Sequence, residues 1–181
     1  DKNGGLIITR GSKIMAEGTA ANPIIFTSEK ASPKRGDWAG VVILGNAPTN
    51  SSYNGQAGIG EIEGGINNAE GLCLYGGTNA ADNSGILKYV RIEYAGYAFL
   101  PDKEINGLTF GGVGNGTTVD YVEVAYANDD SFEWFGGTVN CSHIIAYKGL
   151  DDDFDTDNGF AGKIQFGIGV RDAAIADVSG S

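Results

Sequence analysis

The stretch NDDSFEWFGG (residues 128–137) is followed by LDDDFDTDNG (150–159), and the 22-residue step between them decides the fold. Shifting the sequence by 22 lays Asp129 on Asp151, Asp130 on Asp152, Phe132 on Phe154, Glu133 on Asp155 and Gly137 on Gly159. The strand-forming residues keep the same step, with Val122 and Val124 falling on Ile144 and Ala146. One step back puts Phe110 in the phenylalanine column, Thr109 under Ser131 and Asn106 under Asn128. Further upstream, YVRIEYA (89–95) matches YVEVAYA (121–127) at a step of 32, which is one 22-residue turn plus ten inserted residues. YAFLPDKEIN (97–106), or part of it, is the simplest insertion.

Short strands and polar turns repeating at this period predict a solenoid. Each coil lays its strands on the coil below, about 4.8 Å away, and equivalent side chains stack into ladders. The expected class is all-β: one parallel β-helix of ~22 residues per coil. Inward positions must be apolar, so Phe110, Phe132 and Phe154 are expected to stack inside, beside the aliphatic ladders through Val122 and Val124. The doubled phrases then occupy one corner of successive coils. A β-sandwich gives no reason for a fixed register.

The rest of the chain agrees. GLIITRG, KIMAEG, NPIIFTS, WAGVVILG, ILKYVRIEYAG, VDYVEVAYA, SHIIAYKG and GKIQFGIGV are rich in β-branched or aromatic residues and bounded by turn formers. No segment of helical length holds a 3.6-residue period, and DAAIADVSGS (172–181) is the sole weak helical candidate. Glycine supplies 30 of 181 residues without a Gly-X-Y period, which suits tight turns and excludes collagen. The chain 1–181 reads as a single domain with an insertion loop within 46–85. It also reads as an excised piece, uncapped at one or both ends, and bare ends favour head-to-tail self-association.

A net charge of −11 leaves no basic face for nucleic acid. No apolar run is long enough to span a membrane. Cys73 and Cys141 lack CxxC spacing, and with His143 the one histidine a zinc site lacks ligands. A disulfide and two buried thiols both stay open. His143 reads as an ordinary surface or strand residue.

The acids carry the candidate site. Asp129, Asp130 and Glu133 beneath Asp151, Asp152 and Asp155, with Asp153 and Asp157 alongside, offer the oxygen-rich cage that Ca²⁺ takes. Carboxylates that close repel unless protonated or bridged by a cation. The plainer alternative is acids that accept backbone N–H bonds in turns. DFDTDNG (153–159) is no EF-hand, because its glycine comes late and Ile164 stands where the closing Glu belongs. Tyr94 and Tyr126 share a column, and with Trp134 they are candidates for stacking on sugar rings. Their plain role is to cover the core from the turns.

Two N-terminal phrases carry a resemblance. GSKIMAEGTAANPIIFTS (11–28), with Ala16, Gly18, Thr19, Pro23, Ile24, Phe26, Thr27 and Ser28 in the pattern A-x-G-T-x-x-x-P-I-x-F-T-S, precedes GDWAGVVILGNAP (36–48). Together they resemble the opening coils of right-handed parallel β-helix proteins of the pectin-lyase-like superfamily. The later phrases NGLTFGGVGNGTTVDYVEVAYANDDSFEWFGGTVN (106–140) and YKGLDDDFDTDNGFAGKIQFGIGVRD (147–172) resemble uncharacterised secreted or surface proteins of Bacteroidetes-type bacteria. The resemblance implies a right-handed coil and an extracellular or cell-surface location, and is nearly silent on chemistry. Pectate-lyase-like enzymes of this fold hold Ca²⁺ with acids and use an Arg or Lys base. Arg91, Lys148, Lys163 and Arg171 are the candidates, and Lys148, one coil above Tyr126, is the best placed. No family catalytic motif matches residue by residue, so no catalytic residue is assigned.

The expected function is a secreted or cell-surface structural or adhesive module, acidic and Ca²⁺-stabilised, without catalysis. The alternatives are a polysaccharide-binding protein, or a polysaccharide lyase or hydrolase, working through the acidic face, and a self-assembling filament subunit. Expected partners are polysaccharide or cell-surface components.

Overall fold

The computed structural model describes residues 4–97 and 105–176. Its strands are β1 (Leu6–Ile8), β2 (Ile14–Glu17), β3 (Ile24–Phe26), β4 (Val41–Leu44), β5 (Ser52–Tyr53), β6 (Gln56–Ala57), β7 (Gly60–Glu61) and β8 (Leu74–Tyr75). They continue with β9 (Gly85–Glu93), β10 (Leu108–Gly111), β11 (Thr118–Ala125), β12 (Phe132–Phe135), β13 (Asn140–Tyr147), β14 (Phe154–Asp157) and β15 (Lys163–Val170). Every segment that the sequence marks as a strand contains one. The described residues hold no helix. Residues 172–176 make a turn, and the rest of DAAIADVSGS lies outside the described residues.

Two parallel sheets carry the fold. One runs β1-β4-β10-β12-β14; the other runs β2-β9-β11-β13-β15, with β3 also on β9. From β9 onward the chain alternates between the sheets, and from β11 onward each strand lands beside the one laid down two elements earlier. The predicted partners Val122–Ile144, Val124–Ala146, Phe132–Phe154, Glu133–Asp155 and Val90–Val122 are all in register.

The step is not uniform. It is 22 residues from Thr118 to Asn140 and from Phe132 to Phe154, 23 from Asn140 to Lys163, and 24 from Leu108 to Phe132. From Ile86 to Thr118 it is 32. The ten extra residues are therefore split. Eight (32 − 24) lie between β9 and β10, in a stretch whose residues 98–104 are outside the described ones, and two (24 − 22) lie between β10 and β11. This corrects the column of Phe110, which lies on Trp134 rather than Phe132, and that of Thr109, which lies on Glu133 rather than Ser131. The doubled phrases are also not corners throughout. Phe132–Phe135 and Phe154–Asp157 are strands, and only the acids before them lie in the turns.

Stacking fills the core as parallel register requires. Phe132 meets Phe154 at 5.6 Å and Trp134 at 5.9 Å, and Trp134 meets Phe110 at 5.7 Å. Trp134 is completely buried, which corrects its expected place on a ligand-facing surface. A four-residue strand leaves little room for an alternating pattern that would mark its inward side chains.

Three columns of left-handed residues turn the chain. Gly112, Gly136 and Asn158 follow the first sheet at φ of 58, 68 and 52°. Tyr89, Tyr121, His143 and Phe166 bend the long strands in mid-course, at φ between 50 and 61°. Tyr94, Tyr126 and Lys148 close those strands, at 61, 57 and 55°. Gly and Asn adopt this conformation readily, whereas each larger L-residue carries a cost of about 1–2 kcal/mol.

Residues 46–84 pack on the outer face of the first sheet and build a second small core there. Ile62, Cys73 and Tyr75 meet Val42, Leu44 and Phe135. Gly111 makes this possible, since a Cβ there would lie 2.8 Å from the Tyr75 ring. Cys73 and Cys141 are free, buried thiols in separate clusters.

Truncating Trp134 to Ala removes the ring that joins Phe110 to Phe132. It should lower stability by about 3–5 kcal/mol, read as an earlier urea-unfolding midpoint.

Candidate functional site

The turn from β11 into β12 and the turn from β13 into β14 lie one above the other, and both are acidic. Parallel register stacks acid on acid as faithfully as ring on ring. Oxygens of Asp129, Asp130 and Asp151 lie within 4.8 Å of one another, and so do those of Asp130, Glu133 and Asp155. Asp130 belongs to both groups.

The electrostatics follow from crowding. Burial, and then the neighbouring Asp129, push the Asp130 carboxyl up to about 8. The Asp152 backbone N–H donates to Asp130 Oδ1 at 2.9 Å and works against that shift. Asp155 is also pushed up, by burial and then by Asp157. Glu133, 4% exposed, is raised by burial first and by Glu63 second. The Asn106 side-chain amide donates to Glu63 Oε1 at 2.9 Å and also to Glu133 Oε2. Two acids drawn onto one amide, one of them buried, favour sharing a proton over carrying two charges.

Glu63 and Asn106 were not legible in the sequence. Glu63 lies in 46–84, where no parallel ladder fixes the register. A uniform 22-residue step puts Asn106 two residues out of its column; at the observed step of 24 it stands beneath Asp130, and Asp152 stands above.

Of the eight acids singled out, the structure gathers Asp129, Asp130, Glu133, Asp151 and Asp155. It does not gather the other three side chains. Asp152 is exposed, Asp153 pairs with Arg171 at 3.2 Å, and Asp157 is exposed at the end of β14. Lys148 is engaged elsewhere: its Nζ lies 3.8 Å from Asp172 and its carbonyl accepts from Arg35. Arg91, another of the candidate bases, pairs with Glu93 and, at 3.6 Å, with Glu123. Tyr94 and Tyr126 do share a column, stacked at 5.2 Å with planes 5° apart. They cover each other's facing surfaces, and the Arg35 guanidinium lies 5.4 Å from the Tyr126 ring.

Asp37 shows the opposite electrostatics. Lys30 at 2.5 Å, Ser28 at 2.6 Å and the Lys34 backbone N–H at 3.0 Å hold its carboxyl down at about 2.

A family model described as a pectate-lyase-like beta helix domain matches residues 1–177. No curated protein and no solved structure matches the chain. No helix among the described residues is long and apolar enough to cross a membrane.

The two kinds of acid predict opposite pH profiles. Asp37 stabilises above the ordinary value of 3.8, and that contribution is lost as the pH falls through about 2. Asp130 ionises near 3.8 when unfolded and near 8 when folded, so stability falls as the pH rises between those values. Asp130→Asn should flatten that decline, while Asp37→Asn should cost stability at neutral pH and nothing below about pH 2. Urea unfolding across the pH range reads both.

Proposed function

We propose that this chain, which belongs to the pectate-lyase-like β-helix domain family, is a non-catalytic structural or adhesive module, secreted or displayed at a cell surface, whose acidic corner takes up Ca²⁺. The observation that carries this is the pair of carboxylate groups hinged on Asp130. Ca²⁺ prefers oxygen ligands in a flexible cage. A cation there would replace the proton that crowding otherwise forces onto Asp130, so metal uptake turns a local cost into a gain. We read the two alternating sheets as a closed right-handed coil, the hand that parallel crossovers adopt.

The acid pair of buried Glu133 and exposed Glu63 favours a second reading, a polysaccharide hydrolase or lyase. Three features weigh against it. Hydrolase carboxyls stand about 5 Å or more apart, astride the bond they cleave, whereas these two sit on one amide. Glu133 is buried away from any polymer. Lys148, the base the lyase reading prefers, faces Asp172.

Millimolar Ca²⁺ should raise the melting temperature, and chelator should reverse the rise, because a ligand of the folded form alone stabilises it. Asp130→Asn should abolish the response. A wild-type melting temperature indifferent to Ca²⁺ would remove the metal from this reading. Cleavage of a uronic-acid polymer, abolished by Glu133→Gln, would replace the structural reading with the enzymatic one.

A further inference from the structure

On the outer surface where the long strands bend, away from the acidic corner, runs a groove of about 610 Å³. Tyr89, Tyr121, His143 and Phe166 line it as a ladder, with successive ring centroids 4.6, 4.4 and 4.8 Å apart and planes within 19° of parallel. Rings stacked this way turn their faces on each other and leave their edges to the groove. Ile145, Arg91 and Glu123 also line it, and the Arg91 charge is answered by Glu93 and Glu123.

Beside the Tyr89 and Tyr121 hydroxyls, which both donate and accept, the ladder holds one imidazole whose second nitrogen is unspent. His143 Nδ1 lies 2.9 Å from Asp120 Oδ1 and 3.1 Å from Ser142 Oγ. A carboxylate only accepts, so Nδ1 carries the proton and, in the neutral ring, Nε2 is an acceptor. Nε2 sits at the distal edge of the ring and has no hydrogen-bond partner among the described residues.

We propose that this groove binds an uncharged aromatic small molecule bearing one hydroxyl, its face against the ladder's ring edges and its O–H donating to His143 Nε2. Four features select that chemistry. The volume falls in the range of small-molecule sites. Ring edges are the positive rim of the aromatic quadrupole and attract the negative face of another ring. The His143 Nε2 acceptor calls for a donor on the ligand. The neutralised Arg91 offers no free charge to an anion.

Naphthol, naphthalene and naphthoate separate these features in a fluorescence or ligand-detected NMR titration. Naphthol should bind saturably, roughly three- to tenfold more tightly than naphthalene, the worth of one neutral hydrogen bond. His143→Phe keeps a ring in the ladder and should erase that preference while leaving naphthalene bound. Ile145→Lys, at the groove wall, should weaken both probes, and unchanged far-ultraviolet dichroism would show that each variant folds. The proposal is overturned if wild-type protein shows no saturable naphthol binding, if the preference survives His143→Phe, or if naphthoate binds as tightly as naphthol.

Discussion

Parallel hydrogen-bonded register between strands is the constraint on which everything else here depends. Once Leu108 is held beside Phe132, and Phe132 beside Phe154, every side chain in those strands stands about 4.8 Å from its counterpart. The ladder does not choose what it stacks. Where the counterparts are rings, the result is a continuous core through Phe110, Trp134, Phe132 and Phe154. Where they are acids, the result is a charge problem that protons or a cation must solve.

The same constraint explains why tyrosine, histidine and phenylalanine tolerate a left-handed backbone. Alone, each would relax out of it. In the columns of Tyr89 and Tyr94 every such residue stacks on a neighbour of the same conformation, and the strands on both sides fix the path of the chain. Strain persists because the surroundings over-determine it. The bend also opens the groove that the ring ladder lines, so one device serves the backbone and shapes a surface.

Asp37 and Asp130 show how the fold sets the character of an acid. Both are tied down, but Asp37 is given a lysine, a serine and a backbone N–H, whereas Asp130 is given three other aspartates within electrostatic reach. One is held as an anion and the other is pushed toward its protonated form. Residues 46–84 deepen the contrast by bringing Glu63 against Glu133 while laying Tyr75 over Gly111.

The sequence by itself determined the parallel ladders, because repeated spacing of Phe132/Phe154 and Val122/Ile144 is a property of order along the chain. It also marked the acids that the ladders would bring together. Only the tertiary structure decided the register of Phe110, since two extra residues between β10 and β11 shift a strand without leaving a pattern. It also decided that Trp134 lies inside, that Asn106 and Glu63 join the acids, and that His143 keeps a free nitrogen beside a groove. These depend on contacts between segments far apart in sequence, at distances that spacing along one chain does not encode.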